Sequence, residues 1–184
     1  MRQASSSRPT TENSDDVGLI VALLTRFPEI ATFTAHPLEG TLELSFVVRE
    51  RLDRKAEASL RESVGEHVRS LLELHGEAPS RSDVLLERDG HLSFVQIVRD
   101  AATVTREELG VLTALLRDRF GERLVMGPSA DVEDEDPAAQ DELVDVALEA
   151  LRDPEQKKSL VGYREERGVL VYYMRARRRK ARGR

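Results

Sequence analysis

TLELSFVVR, residues 41 to 49, alternates with a period of two. Leu42, Leu44, Phe46 and Val48 fall on one side of an extended chain, and Thr41, Glu43, Ser45 and Val47 on the other, which predicts a half-buried strand. A helix is predicted next. Asp53 stands where a cap is needed, and Ala56, Leu60, Val64, Val68, Leu71 and Leu72 recur at helical spacing as far as Gly76. Two strands, Val84 to Arg88 and His91 to Arg99, flank Asp89-Gly90, a pair suited to the positive φ of a tight hairpin turn. Thr105 with Glu108 forms a capping box, opening a helix whose stripe is Leu109, Leu112, Leu115, Leu116 and Phe120. Gly121 ends it, and Arg123 to Met126 can close the series as a short strand. The order β-α-β-β-α-β predicts an α+β fold: a ferredoxin-like βαββαβ two-layer sandwich with both helices on one face of an antiparallel sheet.

Around this unit the chain divides by composition. Residues 1–14 are rich in Ser and Thr and read as a disordered arm. Val17, Ile20, Val21, Leu24 and Phe27 then mark an amphipathic helix stopped by Pro28, and Ile30 to Ala35 looks extended. Residues 15–130 thus form the expected domain with its N-terminal helix and strand. Residues 131–136 hold five acidic groups in six positions and read as a linker, without the central Gly and distal Glu of a calcium loop. Residues 137–174 are expected to add a helix, with Pro137 at its first position, and a hairpin from Leu160 to Met174. A helix followed by a hairpin thereby occurs three times. Arg26-Phe27-Pro28-Glu29 and Arg152-Asp153-Pro154-Glu155 occupy equivalent junctions, a weak internal echo.

Composition narrows the classes of function. The chain has 184 residues, 34% of them charged and 4% aromatic, with no Trp, so its core must be aliphatic. It has no Cys, which excludes disulfides, thiolate metal sites and cysteine nucleophiles. Phosphate-binding glycine loops, nucleophile elbows and dinucleotide fingerprints are absent. His36, His67, His75 and His91 are scattered, with no metal-ligand spacing. No catalytic residue, metal ligand or cofactor is assigned. The first thirteen residues lack the apolar run of a signal peptide, and no apolar stretch is long enough to span a bilayer, so a cytoplasmic protein is expected, with no membrane partner.

Two surfaces remain as candidates. The last ten residues carry seven positive charges, so the net charge of −6 divides into +7 on the tail and −13 on the rest. Arg175, Arg177, Arg178, Arg179, Lys180, Arg182 and Arg184 are the candidate contacts to RNA or DNA phosphates. The second surface is the sheet face turned away from the helices, to which the alternation assigns Ser45, Val47, Leu85, Ser93, Val95 and Ile97. It is more aliphatic than a wetted face. The chain's own terminal elements are expected to cover it, with a second copy as the alternative. Val47, Leu85, Val95 and Ile97 are the candidate contacts to a homodimer mate or another protein. With Ser45, Val47, Ser93 and Val95 outward, the sheet lacks the exposed aromatics that RNA-recognition sheets stack on bases. The leading expectation is a non-catalytic binding or regulatory protein with a nucleic-acid-contacting tail. The alternative is a homo-oligomer that senses a small ligand or assembles with a partner through its sheet. An enzyme with a site near His36 and His91, should their hairpins meet at one end of the sheet, ranks third.

Overall fold

Three helices of the structure start at capping side chains, whereas the first is already formed at Glu12, inside the segment expected to be a disordered arm. Asp53 Oδ1 accepts from Ala56 N at 2.7 Å, Thr105 Oγ1 from Glu108 N at 3.2 Å, and Asp136 Oδ1 from Ala138 N at 3.0 Å. The structure is a computed structural model describing residues 12–127, 136–153, 158–165 and 168–174. In chain order it contains α1 (Glu12–Arg26), β1 (Thr32–His36), β2 (Thr41–Val48), α2 (Arg54–Leu74), β3 (Ser82–Asp89), β4 (Leu92–Asp100), α3 (Arg106–Phe120), α4 (Pro137–Ala150), β5 (Ser159–Glu165) and β6 (Gly168–Met174). A 3-10 turn, Gly121–Arg123, follows α3. Residues 1–11, 128–135 and 175–184 lie outside the described residues, and with them most of the arm, most of the acidic linker and the whole basic tail.

The α+β class holds. The strands make one antiparallel sheet in the order β3-β4-β2-β1-β5-β6. That order is not the one expected of the βαββαβ sandwich. Its closing strand, Arg123 to Met126, does not form. The 3-10 turn takes only Arg123 of these residues, and Leu124 makes an isolated antiparallel bridge to Val48, with Arg49 N donating to Arg123 O at 2.7 Å and Val125 N to Val47 O at 2.8 Å. The neighbour of β2 is instead β1, whose Thr32 to His36 pair with Ser45 to Thr41. The C-terminal hairpin extends the same sheet, because β5 pairs with β1, Phe33 opposite Gly162 and Ala35 opposite Leu160.

Cross-strand partners share a face, so the register fixes which residues meet the helices. Phe33, Leu44, Ile97 and Val84 form one row; Leu42, Ala35 and Leu160 lie in a second, and Phe46, Val95 and Leu86 in a third. Against these rows pack Ile20, Leu23 and Leu24 of α1, Leu60, Val64 and Val68 of α2, Leu109, Leu112 and Leu116 of α3, and Val144 and Leu148 of α4, in one continuous core. This register corrects one expectation. Val95 and Ile97 lie on the helix-covered face and are 0% exposed, as is Ser93. The outward row of β4 is Leu92, Phe94, Gln96 and Val98.

The helix-hairpin units at the two ends of the chain face one another. α1 packs along α4, while β1 and β5 run antiparallel between β2 and β6. The strands β2-β1 and β5-β6 are thus two hairpins joined antiparallel at the β1/β5 pair, with α1 lying against β5 and β6. Gly162 serves this contact. A Cβ there would overlap Ile20 and stand 3.0 Å from Leu24 Cδ1, so a side chain at this position of β5 would push α1 off the sheet.

Candidate binding surface

All four helices lie on one side of the sheet, and among the described residues no element covers the other. This departs from the expectation that the terminal elements would cover it. They lengthen the sheet and thicken its helical layer. The uncovered face is read row by row from the register. Tyr172, Val161, Thr34, Glu43, Val98 and Asp83 cross the sheet in one line, and Leu170, Tyr163, Thr32, Ser45, Gln96 and Leu85 in the next. Val47, Phe94 and Glu87 make a third. The face is apolar along β6 and much of β4, and polar or acidic across β1, β2 and the β3 edge, where Leu85 stands among Asp83, Glu87 and Asp89.

Two of the four candidate interface residues therefore lie on this face, Val47 and Leu85, the latter 40% exposed. Val95 and Ile97 are removed from it by burial. Phe94, Tyr163, Leu170 and Tyr172 are gained, Leu170 and Tyr172 each 44% exposed. Tyr163 and Tyr172 meet edge to face, with ring centroids 5.8 Å apart and planes at 72°. The face is therefore not devoid of aromatics, and the reason given above for excluding base stacking fails. Charge supplies a different argument. Glu43, Asp83, Glu87, Asp89 and Glu165 all belong to this face by register, with His36 against Glu43 at 3.9 Å. Phosphates would be repelled there. Burial and the neighbouring Glu165 carboxylate push the Tyr163 phenol above its ordinary value, so at neutral pH it is an uncharged donor.

His36 and His91 do not meet. β2 and β4 are antiparallel, with Thr41 opposite Asp100, so the turn after His36 lies at the end of β4 remote from His91, about 30 Å away for nine residues of strand. No group of three potential metal ligands occurs among the described residues, and no helix among them is long and apolar enough to cross a membrane. The seven basic tail residues from Arg175 to Arg184 lie outside the described residues.

The densest cluster of ionisable groups is buried and closed. Arg99, 0% exposed, donates from Nε to Glu108 Oε1 at 2.7 Å and from Nη2 to Glu108 Oε2 at 3.0 Å, a bidentate pair. Its remaining donors reach Arg81 O at 2.6 Å, Thr103 Oγ1 at 3.0 Å and the Asp100 carboxylate. Thr103 Oγ1 in turn donates to Asp100 Oδ2 at 2.6 Å. Burial acts against the charge of Asp100, but hydrogen bonds from Thr103, the Arg81 N–H and Arg99 outweigh it and hold the carboxyl below the usual range. For Glu108 burial prevails over the guanidinium and pushes the carboxyl upward. Every donor of Arg99 is engaged, and no solvent-facing atom is left for a substrate. The cluster ties β4 to α3; it is a structural joint. Arg164, by contrast half-buried, donates to Ile30 O at 3.0 Å and Phe27 O at 3.2 Å, which fixes the loop between α1 and β1.

Compared with protein-family models, curated proteins and solved structures, the chain matches none of them.

Proposed function

We propose that this protein is a non-catalytic binding module that docks another polypeptide on its open sheet face and uses the Arg-rich segment 175–184 to add contact to RNA or DNA. The observation carrying the reading is the one-sidedness of the fold. Four helices share one face, while Val47, Leu85, Phe94, Leu170 and Tyr172 line the other. Leu85, Leu170 and Tyr172 are exposed and Val47 and Phe94 half-buried, and such side chains with a rim of carboxylates suit a protein partner, since acidic groups repel phosphates but tolerate a neutral or basic peptide. Nucleic-acid contact is assigned to the tail, where seven positive charges in ten residues can displace counterions from a phosphate backbone. A catalytic reading lacks support from the buried cluster, whose donors are all engaged within the fold.

Each half has its own test. Fluorescence anisotropy with labelled RNA and DNA across a salt series should show binding that persists near physiological salt in the full chain and disappears without residues 175–184. Equal binding by both forms would overturn the tail assignment. Peptides selected from a random library against the wild-type protein should lose affinity for a Val47→Glu/Leu85→Glu variant of unchanged fold. Selected peptides indifferent to both substitutions would overturn the face assignment.

A further inference from the structure

The outer edge of β6 carries the strongest remaining signal. Gly168-Val-Leu-Val-Tyr-Tyr-Met174 is a seven-residue edge strand without a charge or a proline. Among the described residues no strand pairs with its outer side. Such an edge offers a row of backbone N–H and C=O groups, on alternate residues, to any strand that can lie beside it. The fold already fills the equivalent edge of the other hairpin. In the strand order β6 stands to β5 as β2 stands to β1, and the outer side of β2 is occupied along its length by β4, antiparallel.

We propose that the occupant is β6 of a second copy, paired antiparallel about a two-fold axis at Val171 to make one continuous twelve-stranded sheet. The strand is complementary to itself in that register. Its first half is aliphatic and its second half aromatic, so reversal sets small residues against large ones. On the open face Leu170 lies across from the mate's Tyr172, and on the helix face Val169 lies across from the mate's Tyr173, with Val171 against its own copy. Within residues 168–174 no pair brings like charges together, so along the strand itself the penalty that protects most edges is missing. The chain's other segments complement this edge less well. Residues 1–11 include Pro9, which lacks an N–H, and have no apolar alternation; residues 175–184 would bring seven cations into an apolar row. The inference is independent of what the open face binds.

The absence of cysteine makes the register directly testable. Val171→Cys places a single thiol against its own copy, within the Cα separation that a disulfide bridges. Leu85→Cys on β3 is the exposed control. Under mild oxidation Val171→Cys should form covalent dimer roughly tenfold or more faster than Leu85→Cys, because association raises the local thiol concentration toward about millimolar. Sedimentation of the unmodified wild type should show a concentration-dependent dimer of twice 20.7 kDa, lost in Leu170→Lys and kept in Leu85→Lys. A wild type that stays monomeric at every concentration, or equal crosslinking at positions 171 and 85, would overturn the proposal. So would a monomer whose β6 amides are protected from exchange, since the chain's own residues would then be the cover.

Discussion

β3 closes one edge of the sheet with Asp83, Glu87, Arg88 and Asp89 among its eight residues, whereas β6 closes the other with seven residues of which none is charged. The two edges also differ in how they are held. β4, next to β3, is bolted to α3 by the buried Arg99–Glu108 pair, and Arg88 ties β3 itself to α2 by donating to Leu52 O at 2.6 Å and to Glu57 at 2.6 Å. β6 has the packing of α1 and of β5 behind it, with the Lys158 ammonium 5.3 Å from the Tyr173 ring centroid. Charge on an edge strand discourages further pairing, because a neighbouring strand would have to accept like charges or desolvate them. One edge of this sheet carries that protection and the other does not, so a further strand is expected at β6 rather than at β3.

The largest effect expected from breaking this contrast is at Arg99. Arg99→Met would leave the buried Glu108 carboxylate and Asp100 without their guanidinium and should cost about 3–5 kcal/mol in urea unfolding. Hydrogen exchange in the variant should quicken in β3 and β4 before β6; uniform loosening would mean that the two edges are not separately anchored. Gly162→Ala comes next. Its methyl group meets the stiff, branched Ile20, and displacing α1 should cost roughly 1–3 kcal/mol. Faster exchange in β5 and β6, with β3 unchanged, is the expected pattern.

A smaller effect concerns acid. Asp100 titrates lower in the folded chain than in the unfolded one, so its contribution to stability is present above about pH 4 and is lost as pH falls through its folded value. Glu108 shifts the other way, so that its contribution weakens as pH rises from about 4.3 toward its folded value. Asp100→Asn should therefore lower stability at neutral pH and flatten the loss below about pH 4, read by thermal melts at a series of pH values. An acid limb identical to that of the wild type would remove Asp100 from the account. Smallest of all is Asp141, which Arg26 reaches at 2.7 Å and Arg106 at 2.8 Å on a partly exposed surface. Asp141→Asn should change stability by less than about 1 kcal/mol, and by less still in high salt.

Much of the secondary structure was legible because local signals agreed with one another. The alternation from Thr41 to Val48, the Asp89-Gly90 turn and the caps at Asp53, Thr105 and Asp136 all mark elements that the structure contains. The face of β4 was misread for a physical reason. Its helix-facing row is Ser93, Val95, Ile97 and Arg99, half of it polar, while the outward row holds Leu92, Phe94 and Val98. By hydrophobicity alone the rows look reversed. Ser93 is buried because its hydroxyl donates to Glu50 O at 2.7 Å and accepts from Leu52 N at 2.9 Å, and Arg99 because two carboxylates surround it. Apart from the adjacent Asp100, those partners are remote in sequence or belong to another element. The strand order was out of reach for a similar reason, since the pairing of β1 with β5 joins residues more than 120 positions apart. The uncharged run at β6 was visible in the sequence; what was missing was its place at the rim of the sheet.

Hydrogen exchange of the β6 and β3 amides, measured side by side as the concentration of the wild-type protein is raised, tests the difference between the two edges most directly. The account predicts that protection at Val169 and Val171 grows with concentration while the outward amides of β3 continue to exchange at an unchanged rate. Exchange at β6 that does not respond to concentration, or protection that develops equally at β3, would contradict it.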